Sequence, residues 1–389
     1  MGFTHGKGTK FLLDLADGSG PSDISALFRS AQGLEGKSER PLTTTFGASA
    51  QRRQLLGLRD GGPIALGGLR QDTAGTKIHG KSTRILHDQY AMHGFLRTAT
   101  LRRMVSLPDT TVFNDTWRRR GLVGLLDGSL ALGGLFDGAA AALDVVWRAA
   151  LAAQAPVLIS AAAGGFAIGN LVDMGQFVVN SYGVNSPHDD TTEASADFDS
   201  DDRIDLGVSL HDLTAEVGTM NGASVNETAA TSLGWAAHLH VTAITGSGCT
   251  IKLQDSADNS VWADLAGGTF SNVTAITKER LEGAATATVR QYVRAIISVM
   301  GASSITFQVS IARRGFTYGS AATYRHLIGL YEKALSSTFQ YGPDGSTSGK
   351  PRFSGECRLS SLETSFPYDN PTAFTAELLT DGAIAEDVF

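Results

Sequence analysis

One stretch of the chain spells a phosphate-binding loop. Gly75-Thr76-Lys77-Ile78-His79-Gly80-Lys81-Ser82 fits G-x4-G-K-[ST] letter for letter. Such a loop cradles phosphates because a buried strand delivers it and a helix begins at its lysine. Here the preceding Leu69–Ala74 is no buried strand, and the residues after Ser82 alternate like a strand. The stretch therefore reads as the opening of a strand. Asp197, Asp199 and Asp201 have the spacing of the first half of an EF-hand loop, but the sixth position is Asp202 instead of Gly and the twelfth is Val208. They read as a solvated acidic loop. His238 and His240 share one strand face without a third ligand at metal spacing. The nearest approach to G-x-S-x-G, at 345–349, has Thr347 at its centre. Cys357 reads as a small buried residue. The pairs Arg52-Arg53 and Arg119-Arg120 read as salt-bridge partners at an interface. No catalytic, cofactor or metal site follows from these residues, and the chain reads as a non-enzyme.

The elements that would carry any site come from a chain of 389 residues, long enough for two or three domains. Only 18% of its residues are charged, and 45 are glycine without a collagen-like period, so a folded, turn-rich protein is expected. A net charge of −7 gives no global basic field to draw it onto nucleic acid or an anionic membrane. Two distant cysteines, Cys249 and Cys357, exclude a disulfide framework or a CxxC zinc site. The opening residues have no apolar core of a secretory signal, and Gly6 breaks the myristoylation pattern. The most apolar stretch, 139–169, is interrupted by Asp144, Arg148, Gln154 and Pro156, and so predicts a helix followed by a strand, not a membrane span.

The chain repeats itself in halves. His5-Gly-Lys-Gly-Thr-Lys10 recurs as His79-Gly-Lys-Ser-Thr-Arg84. Phe46 stands eleven residues before Gly57-Leu-Arg-Asp-Gly61, as Phe113 does before Gly124-Leu-Leu-Asp-Gly128. Ala65-Leu-Gly-Gly-Leu69 recurs as Ala131-Leu-Gly-Gly-Leu135. Further on, a constant offset of 180 relates Gly165 and Gly169 to Gly345 and Gly349, Ser181 to Ser361, and Pro187-His-Asp-Asp190 to Pro367-Tyr-Asp-Asn370. Amphipathic spacing predicts a helix before each back half, over Leu143–Leu151 and Leu327–Leu335. The Asp-Gly pairs at 60–61 and 127–128 read as turns feeding strands.

The simplest organisation is nested. Residues 1–72 with 317–389 form one unit, split by insertion of its duplicate at 73–216. Residues 217–316 form a further sandwich, with strands expected at Trp235–Ala243, Thr250–Asp255, Val261–Asp264, Tyr292–Ser298 and Ser304–Ile311. The expected fold class is mainly β: two related β-sandwich or partial-barrel units with one α-helix each, plus an inserted jelly-roll or Ig-like β-sandwich. A tandem arrangement with exchanged halves fits the same sequence.

The order of these motifs resembles siphophage major tail (tail tube) proteins. The resemblance is carried by His-Gly-Lys-x-Thr, Thr44-Thr45-Phe46, Gly57–Asp60 and Gly124 through Gly138. In the back half it is carried by Gly345 and Gly349, Ser360–Glu363, Pro367–Asp369 and Phe374–Glu377. It covers residues 1–215 and 317–389, and departs from the family in having two units per chain and Ser129 where glycine is usual. The resemblance implies rings stacked into a tube around a DNA-conducting lumen. With two units per chain, each ring is a homotrimer of pseudo-sixfold symmetry. It implies no cofactor. The implied partners are further copies of the chain, a tape-measure protein, and tail terminator and tip proteins, with double-stranded DNA passing through unbound. It also implies a virion (tail) location after synthesis in the host bacterial cytoplasm. The alternative is a phage or cell-surface adhesin or carbohydrate-binding protein, in which Trp235, Trp262 and Tyr292 of the 217–316 sandwich stack on sugars.

Overall fold

The computed structural model describes residues 9–14, 20–25, 28–32, 37–38, 59–71, 77–112, 115, 117–120, 125–246, 248–315, 323–333 and 336–389. Thr44–Phe46, Arg52-Arg53, Gly75 and Phe113 therefore lie outside the described residues. The first strands are β1 (Lys10–Leu13), β2 (Ser22–Asp23), β3 (Phe28–Gln32), β4 (Lys37–Ser38), β5 (Arg59–Asp60) and β6 (Pro63–Leu69). There follow β7 (Arg84–His87), β8 (Tyr90–Ala91), β9 (Leu96–Val105), β10 (Leu126–Leu135), helix α1 (Leu143–Ala153), β11 (Val157–Ala162), β12 (Leu171–Asn185), β13 (Glu193–Ser200) and β14 (Asp205–Glu216). The middle of the chain supplies β15 (Met220–Asn221), β16 (Val225–Asn226), β17 (Trp235–Thr245), β18 (Cys249–Ser256), β19 (Ala263–Thr269), β20 (Thr277–Glu282), β21 (Tyr292–Met300) and β22 (Ser304–Arg313). Helix α2 (Thr323–Lys333), β23 (Ser337–Gly342), β24 (Pro351–Ser365), β25 (Ala373–Thr380) and β26 (Ala385–Val388) complete it. The fold is mainly β, and no helix among the described residues is long and apolar enough to cross a membrane.

Helix α1 forms where apolar residues recur at helical spacing. It buries Leu143, Val146, Trp147 and Ala150, with Trp147 edge-on to Phe198 of β13. Asp144 sits in its first turn, where the helix dipole favours an anion. The carboxylate also pairs with Arg148 one turn on at 2.6 Å and accepts from Tyr182. Gln154 ends the helix in the left-handed region at φ 48°. Helix α2 begins at Thr323, four residues before the spacing predicts. The early start has a tertiary cause, because Tyr324 is pinned by buried hydrogen bonds to Arg103 and Thr364.

The strand pairings of the two ends of the chain match those of residues 84–208 in order and in register. β11 pairs with β12 as Val157↔Phe177, and β23 with β24 as Ser337↔Cys357. β10 pairs with β13 as Gly133↔Ser195, and β6 with β25 as Gly67↔Thr375. The pairing of β12 with β13 skips Asn180, and that of β24 with β25 skips Ser360, 180 positions later. Gly165, Gly169, Gly345 and Gly349 all have positive φ. The N-terminal strands close on the C-terminal ones, β1 on β23 and β6 on β25.

Asp127-Gly128 is not a turn. It lies inside β10, opposite Met104 and Arg103. Glycine is required there by close approach: a Cβ on Gly128 would lie 2.3 Å from Ile204 Cδ1 and 2.9 Å from the Arg102 carbonyl oxygen. The same holds at Gly61, where a Cβ would lie 2.4 Å from Ile384 Cδ1.

In the 217–316 segment, β17 pairs with β20 and β22, and faces a second sheet of β18, β19 and β21 edged by β15 and β16. Trp235, Leu239, Ile251, Leu253, Ile297 and Phe307 fill the space between them. β22 also pairs with β14, so this segment continues the sheet of the preceding one. The observed strands run past the expected ends by up to five residues, and β20 was not expected, since Thr277-Lys-Glu-Arg-Leu-Glu282 has a helix-former's composition. β17 imposes the extended form on it from Ala236↔Glu282 to Val241↔Thr277.

Among the described glycines, Gly80 has the least room for a side chain. Its N–H donates to the Asn370 carbonyl at 2.9 Å, and a Cβ there would lie 1.7 Å from the Pro367 carbonyl oxygen. Gly80→Ala is therefore expected to lower stability by about 1–3 kcal/mol or more, as overpacking against backbone does. A thermal unfolding midpoint equal to that of the parent protein would refute this.

Candidate functional site: an acidic sheet face with two open edges

Eight strands follow one another by antiparallel pairing in the order β3, β6, β25, β24, β9, β10, β13, β12. The middle link, β24 to β9, joins the C-terminal strands to the central ones: Ser361↔Met104, Glu363↔Arg102 and Ser365↔Thr100. Alternation along each strand sends Leu66, Leu101, Leu130, Leu132, Phe198 and Phe374 into the core. The other face is left with small and polar side chains: Ser30, Ala65, Gly67, Thr98, Thr100, Ser129, Ala131, Ser181 and Ser195. None is buried.

Its carboxylates are Asp127, Glu193, Asp197, Asp199, Glu363 and Glu377, against Arg29, Arg97 and Arg102, so the face is net acidic. Arg97 is paired to Glu193 at 3.4 Å, and both are half exposed, so that pair contributes little to stability. Ser181 Oγ donates to Asp197 at 2.8 Å. Asp197 and Asp199 thus stand on a strand, in place of the acidic loop the sequence predicted. Ala194, Ala196 and Phe198 alternate with them on the buried side, and pairing to β10 and β12 on both flanks holds the segment extended. Only Asp201 and Asp202 lie in the bend beyond its end.

Both ends of this sheet are open among the described residues. Among the described residues, β3 pairs with β6 alone, and the Ser181–Asn185 end of β12 pairs with β13 alone. An unpaired antiparallel edge is a template for another strand.

The central link is locked beneath the sheet. Asp173 of β12 accepts from Arg70 Nη1 at 2.6 Å and from Arg103 Nη2 at 2.8 Å, all three fully buried. Burial alone would raise the Asp173 carboxyl, but the two guanidiniums outweigh it and hold it below the usual carboxylate range. Tyr324 of α2 accepts from Arg103 Nη1 at 3.1 Å, and Arg70 lies over its ring at 4.4 Å. Four elements far apart in sequence meet here, and no local motif signals it.

The other sequence candidates are structural. Lys81 sits in a short 3-10 helix, Gly80–Ser82, capped by His79 Nδ1, and β7 comes directly after it in place of the helix a phosphate loop needs. His238 and His240 converge on one hydroxyl, Ser160 Oγ, at 3.0 and 2.8 Å. Cys357 is buried in β24. Arg119 and Arg120 flank the turn at 381–382, where Asp381 accepts from the Arg120 N–H at 3.0 Å. Trp235 is fully buried, and Trp262 is covered by the Arg294 guanidinium at 4.2 Å. Among the described residues no group of three or more His, Cys, Asp or Glu is placed to hold a metal.

No protein-family model and no curated protein matches the chain. Among solved structures, a chain from the virion of a native gene transfer agent particle is 17% identical, with a TM-score of 0.29, over 33% of this chain and 97% of that one. A chain from the tail of an empty gene transfer agent particle, refined with C6 symmetry, is 18% identical with a TM-score of 0.25, over 28% of this chain and 80% of that one. The SPP1 Dit protein, described as a hub of the adsorption apparatus in phages infecting Gram-positive hosts, is 10% identical with a TM-score of 0.26, over 60% of this chain and all of that one. The likeness to phage tail and baseplate proteins is distant and partial, and the geometry of the sheet carries the functional reading.

Proposed function

We propose that the chain is a structural protein of a phage virion that forms the tail tube. Three copies close a ring of pseudo-sixfold symmetry, and the rings stack around a lumen through which double-stranded DNA passes. The observation that carries this reading is the eight-stranded sheet: one face polar and acidic, both edges unpaired, and two like-registered halves already joined through β24 and β9. In this reading residues 1–72 with 317–389 are one tube unit, 73–216 its nested duplicate, and 217–316 a sandwich decorating the outside.

Three such sheets placed edge to edge give twenty-four strands. At ~4.8 Å per strand these enclose a circle of roughly 37 Å diameter, and more once the strands tilt. Small inward side chains keep that space open to a duplex. Carboxylates on the lumen repel phosphate, so DNA slides without being held. Further copies, a tape-measure protein, and terminator and tip proteins are the partners this role requires. The carbohydrate-binding alternative has less to stand on, because Trp235 is in the core and Trp262 is capped by Arg294.

Negative-stain electron microscopy of the concentrated protein tests the proposal. Six-lobed rings of three chains, or stacked tubes, are expected, and a compact oligomer without a central hole would sink it.

A further inference from the structure

The link inside the chain is a template for the link between chains. β24 is joined to β9 by Ser361↔Met104 through Ser365↔Thr100. The position matching Ser365 in the other half is Asn185, as β12 and β24 share their register against β13 and β25. The position matching Thr100 is Gln32: Thr100 stands opposite Ala131 in β10, and Gln32 opposite Ala65 in β6. Asn185 and Gln32 are exposed and lie on the two open edges.

Side chains around the two positions differ in the same sense. Thr364, beside the filled link, is 0% exposed, whereas its counterpart Val184 is 48% exposed. Arg70 is 0% exposed, and its counterpart Phe136, which comes after the same Leu in β10, is 40% exposed. Ile328 of α2 is fully buried, while the matching Arg148 of α1 reaches solvent. Each of these is covered where a second unit sits and bare where none does.

We infer that a second copy of this chain docks the Gln32 end of its β3 at the Asn185 end of β12, antiparallel, with Gln32 opposite Asn185, and buries Val184 and Phe136. The inference rests on the ring reading and adds the register and chemistry of the seam. Phe353 occupies the place of Asp173, and Phe136 that of Arg70, so two phenylalanines stand at the seam where the link within the chain has an ion pair.

The test uses the full chain carrying Gln32→Cys and Asn185→Cys, treated at high concentration with a short bismaleimide. Cys249 and Cys357 are both buried and do not compete. Covalent dimers and trimers and nothing larger are expected on a denaturing gel. Mixed single variants should give dimers only. The out-of-register pair Gln32→Cys with Asn180→Cys should lose the cross-link. Rings in the microscope without the in-register link, or with the out-of-register one, would overturn the seam and leave the ring reading standing. A ladder beyond trimers would uphold the seam and overturn three-chain closure. Neither rings nor links would overturn both.

Discussion

Replacing Asp173 by alanine is expected to destabilise the protein by about 3–5 kcal/mol, because it leaves two guanidiniums buried without a counter-charge. Arg70 and Arg103 both spend their charge on this one carboxylate, at 2.6 and 2.8 Å, and neither is accessible to water. Beyond Asp173, Arg70 has ring contacts with Tyr324 and Phe366, and its Nε and Nη2 make no hydrogen bond among the described residues. Arg103 keeps the Ile204 carbonyl and Tyr324, so the loss falls harder on Arg70. The triple replacement Arg70→Met, Arg103→Met, Asp173→Leu is expected to recover most of the loss, since a buried ion cluster is often matched by apolar residues of similar volume. Urea unfolding of the three proteins makes the comparison. If Asp173→Ala unfolds within 1 kcal/mol of the parent, as ~1 kcal/mol is the scale of an exposed ion pair, the cluster does not hold the two halves together. The cluster joins β12 and β9 to α2 and to the segment after β6, so its loss should also loosen the central link of the sheet.

The back-half segments stand out in the sequence by their fixed offset of 180, and the same offset separates the bulges at Asn180 and Ser360. The helices were readable because α1 and α2 bury one face each. Their starts were less so: only a tertiary contact, the buried Tyr324 hydroxyl, explains why α2 begins at Thr323. The acidic face of the sheet was not legible as a face. Its strands are rich in Gly, Ala, Ser and Thr, where polar and apolar alternation is faint, and β13 looks like a loop because Asp and Ser favour turns. Pairing on both flanks overrides that local preference.

Charge told even less. Asp173, Arg70 and Arg103 are ordinary isolated residues until the topology brings β12, β9 and the end of β6 together. The net charge is acidic, but which carboxylates share one face depends on the parity of each strand, and one bulge reverses that parity. The open edges were no easier to read: Ser30 and Thr98, each opposite a glycine of a Gly-Gly pair, are matched by the strand pairing and by none of the front-half sequence offsets.

The protein is expected to lose stability as pH falls from about 6.5 toward 4, because it buries neutral histidines. Three histidines, His87, His238 and His240, are buried where β7 and β11 meet β17. Burial is the main cause that pulls His87 and His240 down from 6.5 to about 4 and holds His238 well below its ordinary value. Asp88 works against the shift at His87 and His240, while Lys278, paired with Asp88, adds to it, and Arg280 adds to the shift at His238. The folded state thus keeps these rings neutral while the unfolded chain protonates them near 6.5, so stability is full at neutral pH and falls as pH drops from about 6.5 toward 4. His87 and His240 together make that loss on the order of 7 kcal/mol, at ~1.4 kcal/mol for each tenfold change in proton affinity. Neither ring nitrogen of His87 has a hydrogen-bond partner, and the ring packs edge-on against Phe198. His87→Leu should therefore fold at neutral pH with no loss of stability and show a shallower acid dependence, because one proton-binding group is gone. Urea midpoints from pH 7 to pH 4 for the two proteins decide the matter. A flat profile in the parent, or identical slopes in parent and variant, would show that these histidines already accept protons in the folded state.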